Sequence, residues 1–221
     1  MYRDIATSRL LLRPVQTNEE GSIDLERFHT LWSNEQATKW SMRGPCRTLA
    51  ESKAWMASIV PMPMPTINIR VSYSVLYAES DGGLIHPVNV DEKDWKMAGI
   101  VTLLPTDFKL EGESFTYARG ADGDPYRAVE LGYLFAPEVW GKGFATESVR
   151  AVLDVYKRDV QPTDALFPRE ILAWVHEKNA GSRRVLQKVG FKEVRQFEAQ
   201  GWLPLVEDAK KHIVVHFRMD V

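Results

Sequence analysis

The 221-residue chain has a single cysteine, Cys46, so no internal disulfide framework exists. That points to a reducing, cytoplasmic setting. Nothing around Cys46 marks it as a nucleophile. No stretch approaches the roughly 18 consecutive apolar residues of a membrane span. The opening Met1-Tyr2-Arg3-Asp4-Ile5 has no apolar run of signal-peptide length. A soluble protein without a membrane partner is therefore expected. Charge of one sign is also lacking: the formal net charge is −2 and the pI about 6.2. No nucleic acid or other polyanion is implied as a partner. The five histidines (His29, His86, His176, His212 and His216) are scattered without metal-ligand spacing, so no metal is expected. His212 and His216 share strand parity and read as structural. No internal repeat and no dividing linker appear. With 44% hydrophobic and 26% charged residues, one mixed α/β domain over 1–221, with its core over about 9–197, is the economical reading.

What the chain does have is one informative stretch, from Glu130 to Glu147. Leu131, Tyr133 and Phe135 alternate with Glu130, Gly132 and Leu134, which predicts a strand. Pro137 removes a backbone donor and ends the pairing. Gly141 and Gly143 bracket Lys142 in a turn open to positive φ and to close approach of a ligand. Ala145, Val149, Val152, Leu153 and Tyr156 then fall on one face of a helix running to about Arg158. A glycine turn at a helix N-terminus leaves N–H groups pointing one way, which suits a phosphate or pyrophosphate. The spacing is neither a nucleotide P-loop nor a dinucleotide fingerprint, since the residues those need are missing. On these residues alone, a purely geometric turn stands beside the anion site.

The remaining elements are read in order. Arg9 to Pro14 predicts a first strand, and Asp24 to Trp32 a helix with Leu25, Phe28, Leu31 and Trp32 on one face. Thr48-Leu49-Ala50-Glu51 is a capping-box pattern opening a second helix to about Ile59, before the run Pro61 to Pro65. Ile67, Ile69, Val71, Tyr73, Val75 and Tyr77 alternate with mostly polar residues, so a strand with one buried face is expected. A long polar loop follows over about 78–95. Met97 to Leu104 reads as a central strand, with Gly99 at a bulge or a close approach. A second long loop covers about 105–128. Ile171 to Val175 predicts a strand, Asn179 an N-cap and Gly190 a helix stop. Phe191 to Phe197 and His212 to Met219 read as a closing pair of strands.

Two motifs then carry a resemblance. The first is Leu131-Gly132-Tyr133, Pro137 and Trp140-Gly141-Lys142-Gly143-Phe144-Ala145-Thr146-Glu147. The second is Asn179-Ala180-Gly181-Ser182-Arg183-Arg184-Val185-Leu186-Gln187-Lys188-Val189-Gly190-Phe191. Their order resembles the GCN5-related N-acetyltransferase (GNAT) superfamily, most closely its ribosomal-protein N-terminal acetyltransferase branch. Ser8 to Pro14 is similar to that branch's first strand. The resemblance implies a mixed sheet of about seven strands, splayed between the fourth and fifth and flanked by helices. It implies acetyl-CoA as co-substrate, its pyrophosphate on the amides around Gly141 to Thr146. Trp140, Gly141, Lys142, Gly143, Phe144, Ala145 and Thr146 form that half of the expected site. Leu134, Phe135 and Ala136 form the pantetheine half, joined by Asn179 and Ser182. Residue by residue, an N-cap role for Asn179 and a first-turn role for Ser182 stand beside the ligand roles.

The implied reaction is acetyl transfer from a thioester to a primary amine by direct attack in a ternary complex. Glu130 is the expected base, with Ser182 as the polar group nearest the position where many relatives carry an acidic tyrosine. That position is Leu186 here. The Ala136 N–H is a candidate oxyanion donor. The acceptor, a peptide N-terminus or a small molecule, is not fixed. A non-catalytic acyl-CoA-binding or sensor protein on the same fold is the alternative. Asp24 to Ile59 and Pro105 to Arg127 are expected to shape the acceptor pocket.

Overall fold

The computed structural model describes residues 3–60, 70–105, 128–159, 170–199, 203–206 and 212–220. Among the described residues nine strands form one sheet: β1 (Ile5–Ala6), β2 (Leu11–Pro14), β3 (Val71–Ser80), β4 (Gly83–Ile85), β5 (Lys96–Pro105), β6 (Ala128–Phe135), β7 (Glu170–His176), β8 (Lys192–Ala199) and β9 (His212–Asp220). The order is β1-β2-β3-β5-β6-β7-β9-β8, with β4 hydrogen-bonded to the end of β3. Seven of these strands are long. The two short ones, β1 and β4, are the departure from the expected seven. Every pairing is antiparallel except β6 with β7. That parallel pair is the fourth and fifth of the long strands, where the splay was expected.

Five α-helices among the described residues accompany the sheet: α1 (Ile23–Trp32), α2 (Glu35–Thr38), α3 (Leu49–Met56), α4 (Phe144–Asp159) and α5 (Ala180–Val189). Side-chain alternation divides them between two faces. Tyr77 meets the Phe144 ring at 5.6 Å and the Tyr133 hydroxyl reaches the Ser182 carbonyl at 3.1 Å, so odd positions of β3 and β6 face α4 and α5. The Ser72 hydroxyl donates to the Ile59 carbonyl, so even positions face the end of α3. This corrects the expectation of one buried face on β3. Ser72 and Ser74 are as buried as Val71 and Tyr73, because helices cover both sides. Ile67 and Ile69, and the loop residues 106–127, lie outside the described residues.

Three further expectations change in detail. Thr48 caps α3 by accepting from the Glu51 N–H, but Glu51 returns its bond to the Arg47 N–H at 2.6 Å, one residue before the box position. The helix ends at Met56, and residues up to Ile59 form a turn. The stretch 78–95 is not simply a loop: β3 continues to Ser80, and Gly83 to Ile85 folds back on it. At Gly99 both readings hold. The β3–β5 register slips beside it, and a Cβ there would collide with the Leu134 carbonyl and the Phe135 ring. Among the described residues no helix is long and apolar enough to cross a membrane.

Candidate active site

The site begins where the β6–β7 ladder stops. The strands pair at Ala128↔Glu170, Val129↔Ile171 and Glu130↔Leu172, and no further. β6 nevertheless runs on to Phe135, held on its other side by β5 through Ile100↔Leu134 and Gly99↔Phe135. Even residues of β6 aim their amides and carbonyls at β5, and alternation turns those of Tyr133 and Phe135 into the gap. The Trp140 indole N–H takes the Phe135 carbonyl at 2.8 Å. That leaves the Tyr133 N–H, the Tyr133 carbonyl and the Phe135 N–H as a short strand edge without partners among the described residues.

The Ala136 N–H does not belong to this edge. It donates to the Ala98 carbonyl at 2.9 Å, continuing the β5 ladder past the end of the strand. The expected oxyanion role of Ala136 is therefore overturned, because its only donor is committed. Leu134 is likewise bonded toward β5, while Phe135 contributes its amide.

Beyond the strand, Pro137 to Val139 makes a single tight turn and the chain reaches Gly141 and Gly143, at φ +76° and +82°. α4 starts at Phe144. Glu147 donates to the Gly143 carbonyl at 3.1 Å, so the helical ladder begins there. The amides of Gly141, Gly143, Phe144, Ala145 and Thr146 have no acceptor among the described residues. They are the helix's unsatisfied donors, gathered at its positive end. Lys142 is exposed, with its ammonium 3.7 Å from Glu79. The Phe144 side chain is buried against Tyr77, so only its backbone faces outward. Trp140 is 54% exposed and presents the free face of its ring beside the turn.

The far side of the gap is α5. Asn179 caps it, accepting from the Ser182 N–H at 3.1 Å. The Ser182 carbonyl accepts from Tyr133, and its hydroxyl has no partner among the described residues. Burial pushes the Tyr133 phenol well up, against a smaller opposite effect of the Ser182 bond. Leu186 is fully buried in the main core.

Glu130 is half-buried at the apex of the fork, on the face opposite α4 and α5. Registered parallel neighbours share a face, so Leu172, Trp174 and His176 lie on the same side as Glu130. β9 adds His216, stacked on Trp174 at 4.2 Å, and His212, with Nδ1 3.3 Å from His176 Nε2. Trp40 lies on His176 at 4.8 Å. Burial, then Arg195 and Arg218, lowers His216 to about 4. Burial and His212 lower His176 as well. This row was missed in sequence. Only strand parity at His212 and His216 hinted at it, and the register across three strands assembles it. Among the described residues no group of three His, Cys, Asp or Glu stands ready for a metal ion.

A family model described as "Acetyltransferase (GNAT) domain" matches residues 9–192. The chain belongs to the GNAT acetyltransferase family. No curated protein matches it. Solved GNAT structures match its whole length at low identity. RimL, a ribosomal-protein alpha-N-acetyltransferase in complex with coenzyme A, superposes with a TM-score of 0.62 at 14% identity, covering 99% of this chain and 98% of that one. A GNAT-family acetyltransferase from Bacillus anthracis gives 0.61 at 18%, covering 99% and 98%. Spermidine N-acetyltransferase from Vibrio cholerae, in complex with CoA and spermine, gives 0.60 at 19%, covering 97% and 96%. At these identities the likeness speaks for the GNAT fold.

Proposed function

We propose that this protein is an acetyl-CoA-dependent N-acetyltransferase that acts on a primary amine by direct attack in a ternary complex. The observation that carries this is the fork. A parallel ladder stops at Glu130↔Leu172, leaves an edge at Tyr133 and Phe135 without partners among the described residues, and leads into the glycine turn at the start of α4. A pantetheine arm pairs with such an edge as an added strand does. The diphosphate takes the amides of Gly141, Gly143, Phe144, Ala145 and Thr146, with Lys142 beside them and the Trp140 ring at the rim. Asn179 and Ser182 border the arm from α5. The bound RimL and spermidine N-acetyltransferase structures support acetyl-CoA as co-substrate.

The thioester then lies at the apex, and the amine approaches from the face of Glu130. Glu130, directly or through one water, takes the proton of the ammonium or of the attacking nitrogen. The nitrogen bonds to the acetyl carbon, and the carbonyl oxygen gathers charge that a free β6 amide, Tyr133 or Phe135, stabilises. The carbon–sulfur bond breaks and the thiolate leaves. A thiol pKa near 8.5 lets the anion depart with modest help, and the Ser182 hydroxyl is the donor at hand. Leu186 is core, so no side chain at that position supplies an acid.

Buried Leu186 also favours a second reading, an acyl-CoA sensor without turnover. One experiment separates the two: thiol release from acetyl-CoA across a panel of peptide N-termini and small amines, beside calorimetric binding of acetyl-CoA. Binding with turnover on at least one amine is expected. Binding with none supports the sensor, and no binding contradicts both.

A further inference from the structure

The first turn of α4 holds a carboxylate, Glu147, next to amides that are otherwise suited to an anion. The segment before β2 surrounds it. Glu147 Oε1 accepts from the Thr7 hydroxyl at 2.5 Å, the Ser8 hydroxyl at 3.1 Å and the Arg9 N–H at 3.2 Å. Oε2 accepts from Arg9 Nε at 2.8 Å and Nη2 at 2.6 Å. Burial pushes this carboxyl up, but the bonds from Thr7 and Arg9 and the Arg9 charge outweigh it and hold the group below its usual range. The charge is therefore present and locally cancelled.

Arg9 does one thing more. Its third nitrogen, Nη1, donates to the Lys142 carbonyl at 3.0 Å, while the guanidinium lies 4.9 Å over the Phe144 ring. In a trans peptide, the carbonyl and the following N–H point in opposite directions. Holding the Lys142 carbonyl against Arg9 therefore aims the Gly143 N–H away from Arg9. The amides of Phe144, Ala145 and Thr146 need no such hold, because the helix orients them. The Lys142–Gly143 peptide does, because Gly143 on its far side is at positive φ and has no Cβ to restrict it.

We propose that Arg9 is a positioning residue for the cofactor turn: paired with Glu147, it locks the Lys142–Gly143 peptide so that the Gly143 N–H meets the diphosphate of acetyl-CoA. This rests on the acetyl-CoA reading above and assigns the orientation of one of the five amides, that of Gly143, to a side chain outside the turn. It differs from a plain tether of the N-terminal segment, which would stabilise the fold and leave the Gly143 amide indifferent.

The test is calorimetry of CoA with the wild type, Arg9→Gln and Arg9→Lys, beside the amide resonance of Gly143 in 15N-labelled protein. Addition of CoA to the wild type is expected to move the Gly143 proton strongly downfield, as a phosphate acceptor does. Arg9→Gln is expected to weaken CoA about tenfold or more and to lose that shift, while the Ala145 and Thr146 shifts persist. Arg9→Lys keeps a charge for Glu147 but lacks the fork to the Lys142 carbonyl, and is expected to fall between. It also serves as the readout if Arg9→Gln does not fold. Unchanged affinity in these variants overturns the proposal, and so does weakened affinity with the Gly143 shift intact. A wild type that binds no CoA overturns the acetyl-CoA reading itself, and the proposal with it.

Discussion

The two sides of the fork are built differently. On the α4 side, the candidate site is backbone: five amides from Gly141 to Thr146 and a short strand edge at Tyr133 and Phe135. On the opposite face it is side chains: Glu130, Trp174, His176, His212 and His216, carried on three strands, with Trp40 against them. A backbone site comes from contiguous sequence, because the turn, the glycines and the helix start lie within a few residues of one another. A side-chain site comes from register, which brings together residues far apart in the chain. The first suits a ligand part common to a whole family, because it needs no particular side chain.

Four experiments probe that contrast. The largest effect is expected at the backbone side. Gly143→Asp forces a left-handed backbone onto a residue with a Cβ and sets a negative charge among the amides. CoA affinity measured by calorimetry is expected to fall at least ~100-fold, about 3 kcal/mol. Glu130→Gln should instead leave CoA affinity unchanged and lower kcat roughly 100-fold on the amine that the panel identifies. A loss of CoA affinity there would break the division between the two faces.

The third experiment concerns pH. His216 ionises near 4 in the folded protein against 6.5 for an ordinary imidazole. Below 6.5 the unfolded chain binds the proton that the folded one refuses. Stability is thus full above 6.5 and declines as pH falls toward 4. The expected loss is roughly 1–2 kcal/mol once water screening is allowed for, read by denaturant unfolding. His216→Phe should flatten that slope, and an unchanged slope would remove His216 as its origin. The smallest effect is expected from Tyr133→Phe, which removes the bond across the gap to Ser182. A cost of about 1 kcal/mol in unfolding is expected, and no change would mean that the bond does not hold the gap.

The same contrast explains what could be read from sequence. The strand, turn and helix from Glu130 to Glu147, and the Asn179 cap, follow from local pattern and appear in place. Gly99 stands out as a glycine inside an apolar strand. The direction of the Ala136 N–H is not legible locally, because whether it faces β5 or the gap depends on which pairing continues past Phe135. Ser72 and Ser74 look solvent-facing by alternation, yet both are buried, and the Ser72 hydroxyl meets the Ile59 carbonyl just after α3. The Arg9–Glu147 pair joins residues 138 positions apart in the chain. Each residue has an ordinary local reading, as a strand flank and a first-turn acid. The histidine row needs the pairing of β7 with β9, which no local spacing records.

Hydrogen exchange with and without acetyl-CoA tests the central claim most directly. The account predicts protection confined to two segments, the amides of Tyr133 and Phe135 and those of Gly141 to Thr146. Protection elsewhere with these two unchanged would contradict it.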